Sequence, residues 1–394
     1  MTDSFFLNEL GVVCAIGNSR AEVGRRLLSG ECGVAATERY SPGRPLPAGS
    51  VDSSLPSLDA WPVEMRSRNN QLVLAAAEQL RPAVDAAASR FGAHRVAIVV
   101  GTSTSGIGES ERAIRAWVES GPMPADYAFA QQELDSPARF LACALDVRGP
   151  AYVHSSACSS SAKAMAAAAR LVLAGVADAV VTGGADSLCA FTVAGFASLN
   201  LLSGQRCNPL SVNRNGINIG EAAALFLMTR EPATVGLRGW GESSDGHHFS
   251  APDPTGNGAR IAIRQALTRA GIEAGDIDYV NLHATATPAN DVMESAVVHE
   301  LFGERVPVSG TKPMTGHTLG AAGALEAAFC WIAMQDDNVR GTLPPHVWDG
   351  ERDPALAPLR TVARGESLGR PPRHSLSNSF AFGGANAALV FGRE

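Results

Sequence analysis

The residue type and the flanking segments of one cysteine, Cys158, are those of a possible nucleophile. A short apolar run from Ala151 to His154 precedes it, and an Ala-rich segment typical of helix follows it. This order predicts a strand-to-helix corner, where unpaired N–H groups and the helix dipole favour a thiolate. A lone cysteine is more often a small buried hydrophobic residue, but hydroxyl residues flank Cys158 on both sides. We therefore interpret Cys158 as a nucleophile that the helix start activates without an adjacent base.

Two histidines each follow an apolar run in the second part of the chain. His283 lies in Asn281-Leu-His-Ala-Thr-Ala-Thr-Pro, and His317 lies in Thr311-Lys-Pro-Met-Thr-Gly-His-Thr-Leu-Gly. Taken alone, each such histidine is more often structural, which is the class we assign to His94, His299, His346 and His374. Ligand sites assemble at the carboxyl ends of strands in open α/β sheets. A cysteine and two histidines in such positions therefore predict one shared site.

Two glycine-containing segments are further candidates. In Ser377-Asn-Ser-Phe-Ala-Phe-Gly-Gly-Ala-Asn, the pair Gly383-Gly384 allows the backbone to approach a ligand closely, and the segment also fits a hairpin near the C-terminus. The segment Gly101-Thr-Ser-Thr-Ser-Gly-Ile-Gly lacks both the P-loop lysine and the GxGxxG spacing. We interpret it as a tight active-site turn or packing turn rather than a phosphate cradle.

The elements that must position these residues alternate between strand and helix. At 394 residues the chain exceeds the usual size of one core. Alternation of β and α segments predicts largely parallel sheets with crossover helices. The cysteine segment and the His317 segment share one plan, a strand, a polar loop and a small-residue helix. We therefore predict two similar α/β halves, residues 1–235 with the cysteine and residues 236–394 with the histidines.

Composition excludes several function classes. A formal charge of −7 argues against non-specific binding of nucleic acid. Seven irregularly spaced cysteines without a CxxC pair fit free thiols in a reducing compartment and no structural zinc site. The adjacent His247 and His248 would point in opposite directions on an extended segment, so we expect no metal there. Without a basic leader or an apolar run of about 20 residues, we expect a cytoplasmic protein with no membrane partner.

The segments around Cys158, His283, His317 and Phe382 resemble the motifs of β-ketoacyl-acyl carrier protein synthases. The resemblance covers nearly the whole chain, and the two-histidine pattern is similar to that of the elongating enzymes. The Phe382 region has no second cysteine of the kind a degradative thiolase carries. The resemblance implies the thiolase fold, an α/β architecture of two similar halves with mixed sheets in an αβαβα arrangement.

The resemblance also implies the reaction and most of the site. Cys158 would take an acyl group from an acyl carrier protein, and malonyl-carrier protein would then lose CO₂ and condense with it. His283 and His317 would hydrogen-bond the malonyl thioester oxygen, with Lys312 and Glu326 as a charged pair behind them.

The remaining implied roles concern binding and gating. The N–H groups of Cys158 and Phe382 would form an oxyanion hole, and Phe382 would gate the site on the Gly383-Gly384 hinge. The implied pantetheine contacts are Thr285, Thr287 and Ser250. No metal or organic cofactor is implied beyond the phosphopantetheine that carries the substrates.

The implied partners are an acyl carrier protein and a second subunit. The strand before Cys158 would pair across a two-fold axis, in a homodimer or in a heterodimer with a chain-length-factor-like subunit. We take Arg66 and Arg68 as candidate docking cations for the acidic carrier. Two other functions stay open, a non-catalytic partner subunit and a cysteine hydrolase with a Cys–His pair.

Several positions depart from the usual family pattern. Ala284 replaces a glycine, Ala385 a threonine and Asn215 an aspartate, and Lys163 stands where histidine or a small residue is frequent. None of these changes removes a catalytic group, so they concern the substrate. The motifs Asn-Arg-x-Gly-Ile-Asn-Ile-Gly and His-Ala-Thr-Ala-Thr-Pro resemble those of synthases from aryl-polyene-type pathways.

Overall fold

The computed structural model describes residues 5–394, so the first four residues of the predicted first half lie outside it. Its strands are β1 (Phe5–Cys14), β2 (Ala35–Thr37), β3 (Leu46–Gly49), β4 (Val96–Gly101), β5 (Ala151–His154), β6 (Ala179–Asp186), β7 (Ile219–Gly220), β8 (Ala222–Thr229), β9 (Val235–Ser244), β10 (Tyr279–Asn281), β11 (Pro307–Ser309), β12 (Arg360–Thr361), β13 (His374–Ala381) and β14 (Ala385–Arg393). Its α-helices are α1 (Arg20–Ser29), α2 (Arg68–Phe91), α3 (Ile107–Ser120), α4 (Ser136–Ala144), α5 (Ser160–Leu173), α6 (Ala190–Ser198), α7 (Asn257–Ala270), α8 (Pro288–Phe302), α9 (Lys312–Thr315) and α10 (Ala322–Ala333).

One sheet of eleven strands carries both halves, in the order β12-β11-β10-β13-β14-β9-β1-β8-β6-β4-β5. The first half supplies β1, β4, β5, β6 and β8, and the second supplies β9, β10, β11, β13 and β14. Numbered in chain order within each half and read towards the junction of β9 with β1, both sets of five run 3-2-4-5-1. This repetition confirms the predicted architecture of two similar α/β halves.

Strand directions repeat as well. β4 is parallel to β5 and β6, while β8 is antiparallel to β6 and β1. Correspondingly, β10 is parallel to β11 and β13, while β14 is antiparallel to β13 and β9. The halves join where β1 pairs with β9 over two residues. Mixed sheets are therefore present in each half, as predicted.

The helices form three layers around the two sheet halves. α5 and α10 contact each other between the halves and share one apolar core with β1 and β8. They approach closely because small residues line the contact: a Cβ on Gly323 would lie 2.8 Å from the Cβ of Ala162. On the outer faces, α2 and α4 cover the first half, and α7 and α8 cover the second. The result is the predicted αβαβα layering.

The two ends of the sheet differ. β11 is covered by β12, whereas β5 pairs with β4 on one side and has no strand on the other within residues 5–394. Ala151 and Tyr152 are exposed along that edge. A separate three-stranded sheet, in the order β2-β3-β7, packs near the start of the His317 segment. No helix in the described part of the chain is long and apolar enough to cross a membrane.

Candidate active site

Cys158 sits at the strand-to-helix corner that the sequence predicts. β5 ends at His154 and α5 begins at Ser160. Ala157 turns the chain between them with a φ of +49°, in the left-handed region that costs a non-glycine residue about 1–2 kcal/mol. The flanking hydroxyls fasten this turn, since Ser160 Oγ donates to the Ala157 carbonyl at 2.6 Å and accepts from the Ser156 N–H at 2.8 Å. The corner is thus held by local hydrogen bonds, and the thiol is 5% exposed.

The protonation state of Cys158 differs from the sequence expectation. Burial raises the pKa of this thiol to about 12, although Lys312 and the backbone N–H of Phe382 oppose the increase. His317 Nε2 lies 3.0 Å from Sγ. This burial opposes the expected thiolate that needs no adjacent base, because exclusion of water penalises the charged form. A thiol hydrogen-bonded to an imidazole occupies the site.

His283 follows β10 in a tight turn. The N–H groups of His283 and Ala284 each donate to the buried carboxylate of Glu294, on α8, at 2.7 Å. Ala284 has a φ of +41°, which explains why glycine is common at this position in the family pattern. Glu294 is absent from the sequence prediction, because an acidic residue within a helix gives no local sign of the backbone groups that it will contact. The available signal was its position on the helix that directly follows the His283 segment.

His317 is held by backbone groups of the loop that includes β7. Its N–H donates to the carbonyl of Asn218 at 2.7 Å, and its own carbonyl accepts from the N–H of Gly220 at 2.9 Å. The imidazole ring stands nearly perpendicular to that of His283, with centroids 5.3 Å apart. Nδ1 of His317 has no hydrogen-bond partner among residues 5–394. No group at Nδ1 therefore fixes the tautomer of His317.

Lys312 and Glu326 form a buried ion pair behind the histidines. The Lys312 ammonium also contacts the carbonyl of His283 and lies 3.5 Å from its Nδ1. Burial lowers the pKa of both histidines well below the usual value, and the Lys312 charge lowers it further. Both rings are consequently neutral near pH 7, in agreement with the bias expected from a nearby lysine.

The turn between β13 and β14 closes over the thiol. Phe382 packs on Phe196 with ring centroids 5.4 Å apart, and its N–H faces the sulfur of Cys158. Gly383 and Gly384 have φ values of +78° and +72°, and a Cβ on Gly384 would lie 2.7 Å from that of Asp245. Glycine is therefore required here by both conformation and space.

A cavity of about 290 Å³ leads to the thiol. Cys158, His283 and His317 lie on its wall together with the predicted pantetheine residues Thr285, Thr287 and Ser250. An apolar part of the wall consists of Phe196, Leu199, Leu201, Ile217 and Phe380. The side chain of His248 is exposed, and its Nδ1 accepts from the N–H groups of Ser250 and Ala251. It supports the loop at the cavity rather than facing the thiol.

Asp186, at the end of β6, is a second buried carboxylate that is absent from the sequence prediction. It accepts hydrogen bonds from the hydroxyls of Thr102 (2.5 Å), Ser103 (2.6 Å) and Thr104 (2.7 Å) and from the N–H of Gly320. The glycine-rich loop after β4 is thereby tied to the segment after His317. Of the two interpretations given for that loop, the packing turn is the one these contacts support.

The donor atoms of Cys158, His283 and His317 lie within 4.8 Å of one another. Sulfur and imidazole ligands suit Zn²⁺ by type. Lys312, however, faces Nδ1 of His283 as a hydrogen-bond donor, which leaves the proton of the neutral ring on the nitrogen a metal would need. The arrangement favours a ring that donates a hydrogen bond into the cavity over one that ligates a cation.

The two predicted docking cations are engaged within the chain. Arg68 Nε donates to the buried carboxylate of Glu221 at 2.8 Å, and Arg66 Nε donates to the carbonyl of Trp61 at 2.6 Å. That they dock a carrier protein stays a prediction, which these contacts within the chain do not favour. The sequence indicates a loop near these arginines. It does not indicate that Arg68 binds Glu221, which lies 153 residues further along the chain.

Comparisons with known proteins agree with this geometry. Residues 10–233 match the family model described as "Beta-ketoacyl synthase, N-terminal domain", and residues 235–346 match "Beta-ketoacyl synthase, C-terminal domain". The 3-oxoacyl-[acyl-carrier-protein] synthase 2 of Staphylococcus aureus is 31% identical over 317 residues, 76% of this chain and 75% of the relative.

Solved structures of ketosynthases have the same fold as this chain. A chain in the structure of the ketosynthase ApeO with its chain length factor ApeC, from Xenorhabdus doucetiae, is 42% identical, with a TM-score of 0.92 and coverage of 100% of this chain and 98% of that one. The ishigamide ketosynthase/chain length factor is 25% identical, with a TM-score of 0.89 and full coverage of both chains. The chain therefore belongs to the β-ketoacyl synthase family of thiolase-fold condensing enzymes.

Proposed function

We propose that this chain is a 3-oxoacyl-[acyl-carrier-protein] synthase that condenses a Cys158-bound acyl group with malonyl-carrier protein. One observation carries the proposal. The thiol of Cys158 lies 3.0 Å from an imidazole nitrogen of His317, at the end of a cavity that His283 also lines. A nucleophile in contact with a neutral base is the arrangement that acyl transfer requires.

In the first step, Sγ of Cys158 attacks the thioester carbonyl of the acyl-carrier protein. His317 Nε2 takes the thiol proton as the S–C bond forms, so the high pKa of the resting thiol presents no obstacle. The N–H groups of Cys158 and Phe382 stabilise the negative charge on the carbonyl oxygen. Collapse breaks the bond to the pantetheine sulfur, which leaves as a thiol with the proton from His317.

In the second step, malonyl-carrier protein enters the same cavity and loses CO₂. The electron pair of the broken C–C bond forms an enolate, whose oxygen accepts hydrogen bonds from His283 and His317. Lys312 orients His283 by facing its Nδ1, which places the ring proton on Nε2. The enolate carbon then attacks the Cys158 thioester, and the C–S bond breaks with its electron pair on the sulfur, which releases 3-oxoacyl-carrier protein. A proton from solvent then restores the Cys158 thiol.

The unfixed tautomer of His317 suits both steps. Its Nε2 must accept a proton from Cys158 in the first and donate a hydrogen bond in the second. His283, whose Nδ1 faces Lys312, has a single donor role. Glu326 keeps the Lys312 ammonium in place by balancing its charge in the interior, and Phe382 swings away on Gly383 and Gly384 when the thiol is acylated.

We further propose that the reaction uses no metal or organic cofactor, the pantetheine arm being held by Thr285, Thr287 and Ser250. The hydrogen-bonding role of His283 supports the absence of a metal. We place the enzyme in the cytoplasm, where carrier-bound intermediates would reach it. The 42% identity to a chain of the ApeO–ApeC structure supports a specialised pathway of the aryl-polyene type.

The partners proposed are an acyl carrier protein and a second subunit of the same fold. The unpaired edge of β5 is a template for a further strand. Elsewhere in the first half, α3 presents Ile114, Trp117 and Val118 on one face, with exposures of 50%, 51% and 73%. Uncovered apolar side chains at helical spacing mark an interaction surface, so α3 and the edge of β5 are the two candidate surfaces for these partners.

Acylation of Cys158 tests the enzyme against the non-catalytic alternative. Intact-mass analysis after incubation with acyl-carrier proteins should show one acyl adduct, absent in Cys158→Ala. Failure to acylate with any acyl chain, alone or with a partner subunit, would leave the partner-subunit function as the better account. Release of free acid instead of 3-oxoacyl product after malonyl-carrier protein is added would identify a hydrolase.

A further inference from the structure

Asn290, on the first turn of α8, lies on the wall of the cavity that leads to Cys158, and the proposed mechanism gives it no role. Its side chain is buried. Nδ2 of Asn290 lies 3.3 Å from Oδ1 of Asp291 and 3.3 Å from Oε2 of Glu294. Carboxylate oxygens accept hydrogen bonds, so these contacts place the NH₂ group of the amide against them and the amide oxygen on the other side.

The oxygen of the Asn290 amide is the end that remains available. Oδ1 accepts no hydrogen bond within residues 5–394 and is open to the cavity, whereas Oδ1 of Asn378 is sealed in the interior without a partner. An acceptor that faces a substrate cavity fits a donor on the substrate. The two carrier-bound substrates share the N–H groups of the two pantetheine amides, and their thioester and carboxylate oxygens are acceptors. The chemistry of Oδ1 therefore matches an amide of the pantetheine arm.

The carboxylate oxygens that Asn290 contacts also hold the loop after β10. Oε2 of Glu294 accepts the N–H of Ala284 at 2.7 Å, and Oδ1 of Asp291 accepts the N–H of Ala286 at 3.2 Å. Both alanines have positive φ, +41° and +63°, which is unfavourable for a residue with a Cβ. The loop therefore depends on the two carboxylates for its shape, and Asn290 bridges them.

This loop carries both a catalytic side chain and a predicted arm contact. The N–H of His283 donates to the other oxygen of Glu294, at 2.7 Å. Thr285 lies between the two alanines with positive φ, and its hydroxyl is 2.9 Å from that of Thr287. The loop thus presents a hydroxyl to the pantetheine arm and positions the imidazole that binds the enolate oxygen. A side chain that contacts the arm and both carboxylates connects these two roles.

We propose that Oδ1 of Asn290 accepts a hydrogen bond from an amide N–H of the pantetheine arm, and that Asn290 thereby couples the seating of the arm to the placement of His283. The inference rests on the proposed function, because it concerns the substrate arm of that enzyme. An N–H bound at Oδ1 polarises the amide and strengthens its donation to Asp291 and Glu294. Asn290 is therefore a positioning residue, and the His283 loop is held most firmly when the malonyl arm is in place.

Binding of an unreactive arm provides the first test. S-ethylpantetheine has both amides and no thioester, and its binding to the full chain is measured as protection of Cys158 from iodoacetamide. Asn290→Ala should weaken this binding by about fivefold, the effect of one lost hydrogen bond. If thermal unfolding shows that Asn290→Ala is not folded, Asn290→Ser takes its place with the same expected loss. No protection of the wild type, or equal protection of wild type and variant, would overturn the proposal.

Asn378→Ala is the matched control. Nδ2 of Asn378 also donates to Glu294, to Oε1 at 3.2 Å, but Asn378 does not line the cavity. This variant removes a donor to the same carboxylate without removing a contact to the arm. It should bind S-ethylpantetheine as the wild type does, and an equal loss of binding in both variants would show that the effect of Asn290 is structural.

Decarboxylation provides the second test, through two thioesters that differ in their amides. The measured quantity is the ratio of kcat/KM for malonyl-pantetheine to kcat/KM for the S-ethyl malonyl thioester, which has no amide. Asn290→Ala should lower this ratio by about fivefold, and Asn378→Ala should lower kcat for both thioesters with the ratio unchanged. A loss in Asn290→Ala that is equal for both thioesters would contradict recognition of the arm.

Acylation of Cys158 separates this proposal from the proposed function. Transfer from an acyl-pantetheine does not use His283, so in this step Asn290→Ala should raise KM by about fivefold without a change in kcat. A lower kcat for acylation would contradict the coupling to His283. Failure of the wild type to acylate, with protection by S-ethylpantetheine that still depends on Asn290, would refute the enzyme and keep the recognition of the arm.

Discussion

In the first half the third strand, β5, leads to Cys158, whereas its counterpart in the second half, β11, leads to Lys312 and His317. Both loops are followed by small-residue helices, α5 and α10, which meet in the middle layer. The repeated topology thus brings two equivalent loops together, and their side chains have diverged. One provides a nucleophile, and the other provides the groups that move protons and orient charge.

The second strands show the same divergence. The loop after β4 carries hydroxyls that bind the carboxylate of Asp186, and the loop after β10 carries His283, whose backbone binds the carboxylate of Glu294. Both loops are clamped by a buried carboxylate. In the first half the clamp supports packing, and in the second it positions a catalytic side chain. A shared scaffold therefore does not imply shared roles.

The largest expected effect comes from removing one reacting group from each half. Cys158→Gln should reduce acyl transfer by about 10³-fold or more while malonyl-carrier protein is still decarboxylated. His283→Ala should reduce decarboxylation by about 10²–10⁴-fold while Cys158 still acylates. Intact-mass acylation and CO₂ release measure the two activities separately. Loss of both activities in either variant would show that the halves do not divide the chemistry.

The two carboxylate clamps should differ in what they affect. Glu294→Gln should lower decarboxylation more than acylation, because it loosens the turn that holds His283. Asp186→Asn should reduce the free energy of unfolding by about 2 kcal/mol and leave the ratio of the two activities unchanged. Urea unfolding and paired activity assays provide the readouts. A changed ratio in Asp186→Asn would mean that both clamps serve catalysis.

The pH dependence of Cys158 reactivity tests whether this thiol of the first half needs His317 of the second half as its base. Because burial raises the pKa of Cys158 to about 12, its alkylation by iodoacetamide should accelerate about tenfold per pH unit from pH 7 to 9. The folded pKa exceeds the unfolded value of 9.0, so the associated stability is complete below pH 9 and is lost as pH rises towards 12. Peptide mass spectrometry separates Cys158 from the more exposed Cys32 and Cys143. A rate that is flat between pH 6 and 8 would indicate a thiolate stabilised by the helix start alone.

The smallest effect concerns one strained alanine in each half. Ala157 and Ala284 both have positive φ, at +49° and +41°. Substituting glycine at either position should raise the free energy of unfolding by about 1 kcal/mol or less, since relieved strain is partly offset by unfolded-state entropy. Thermal unfolding measures both variants. A loss of stability in Ala284→Gly would show that its methyl group, packed beside Gly310, matters more than its backbone.

The fold and the reacting groups follow from local patterns in the sequence. The corner at Cys158, the polar loops before His283 and His317 and the repeated plan each depend on a few consecutive residues. Helix α7 (Asn257–Ala270) is another element of this kind, because its apolar spacing and the glycine after it are local signals.

Features that depend on distant partners were not predictable in this way. Glu294, Asp186 and Glu221 look like ordinary acidic residues in the sequence, and their roles arise from groups that the fold brings to them. Likewise, the high pKa of Cys158 depends on exclusion of water by elements from both halves. The short strand β12 has two residues and no periodicity to detect.

The turn of Phe382 to Gly384 has a consequence for the timing of catalysis. It carries both the ring that covers the cavity and the N–H that faces the Cys158 sulfur, and the N–H of Gly383 donates to the Phe249 carbonyl at 2.8 Å. A displacement large enough to admit a carrier arm would also withdraw that N–H from the sulfur. The oxyanion hole could then act in acyl transfer only after the turn has returned over the thiol with the arm already seated in the cavity. A reactive thioester would be exposed to water when the site is least able to hydrolyse it.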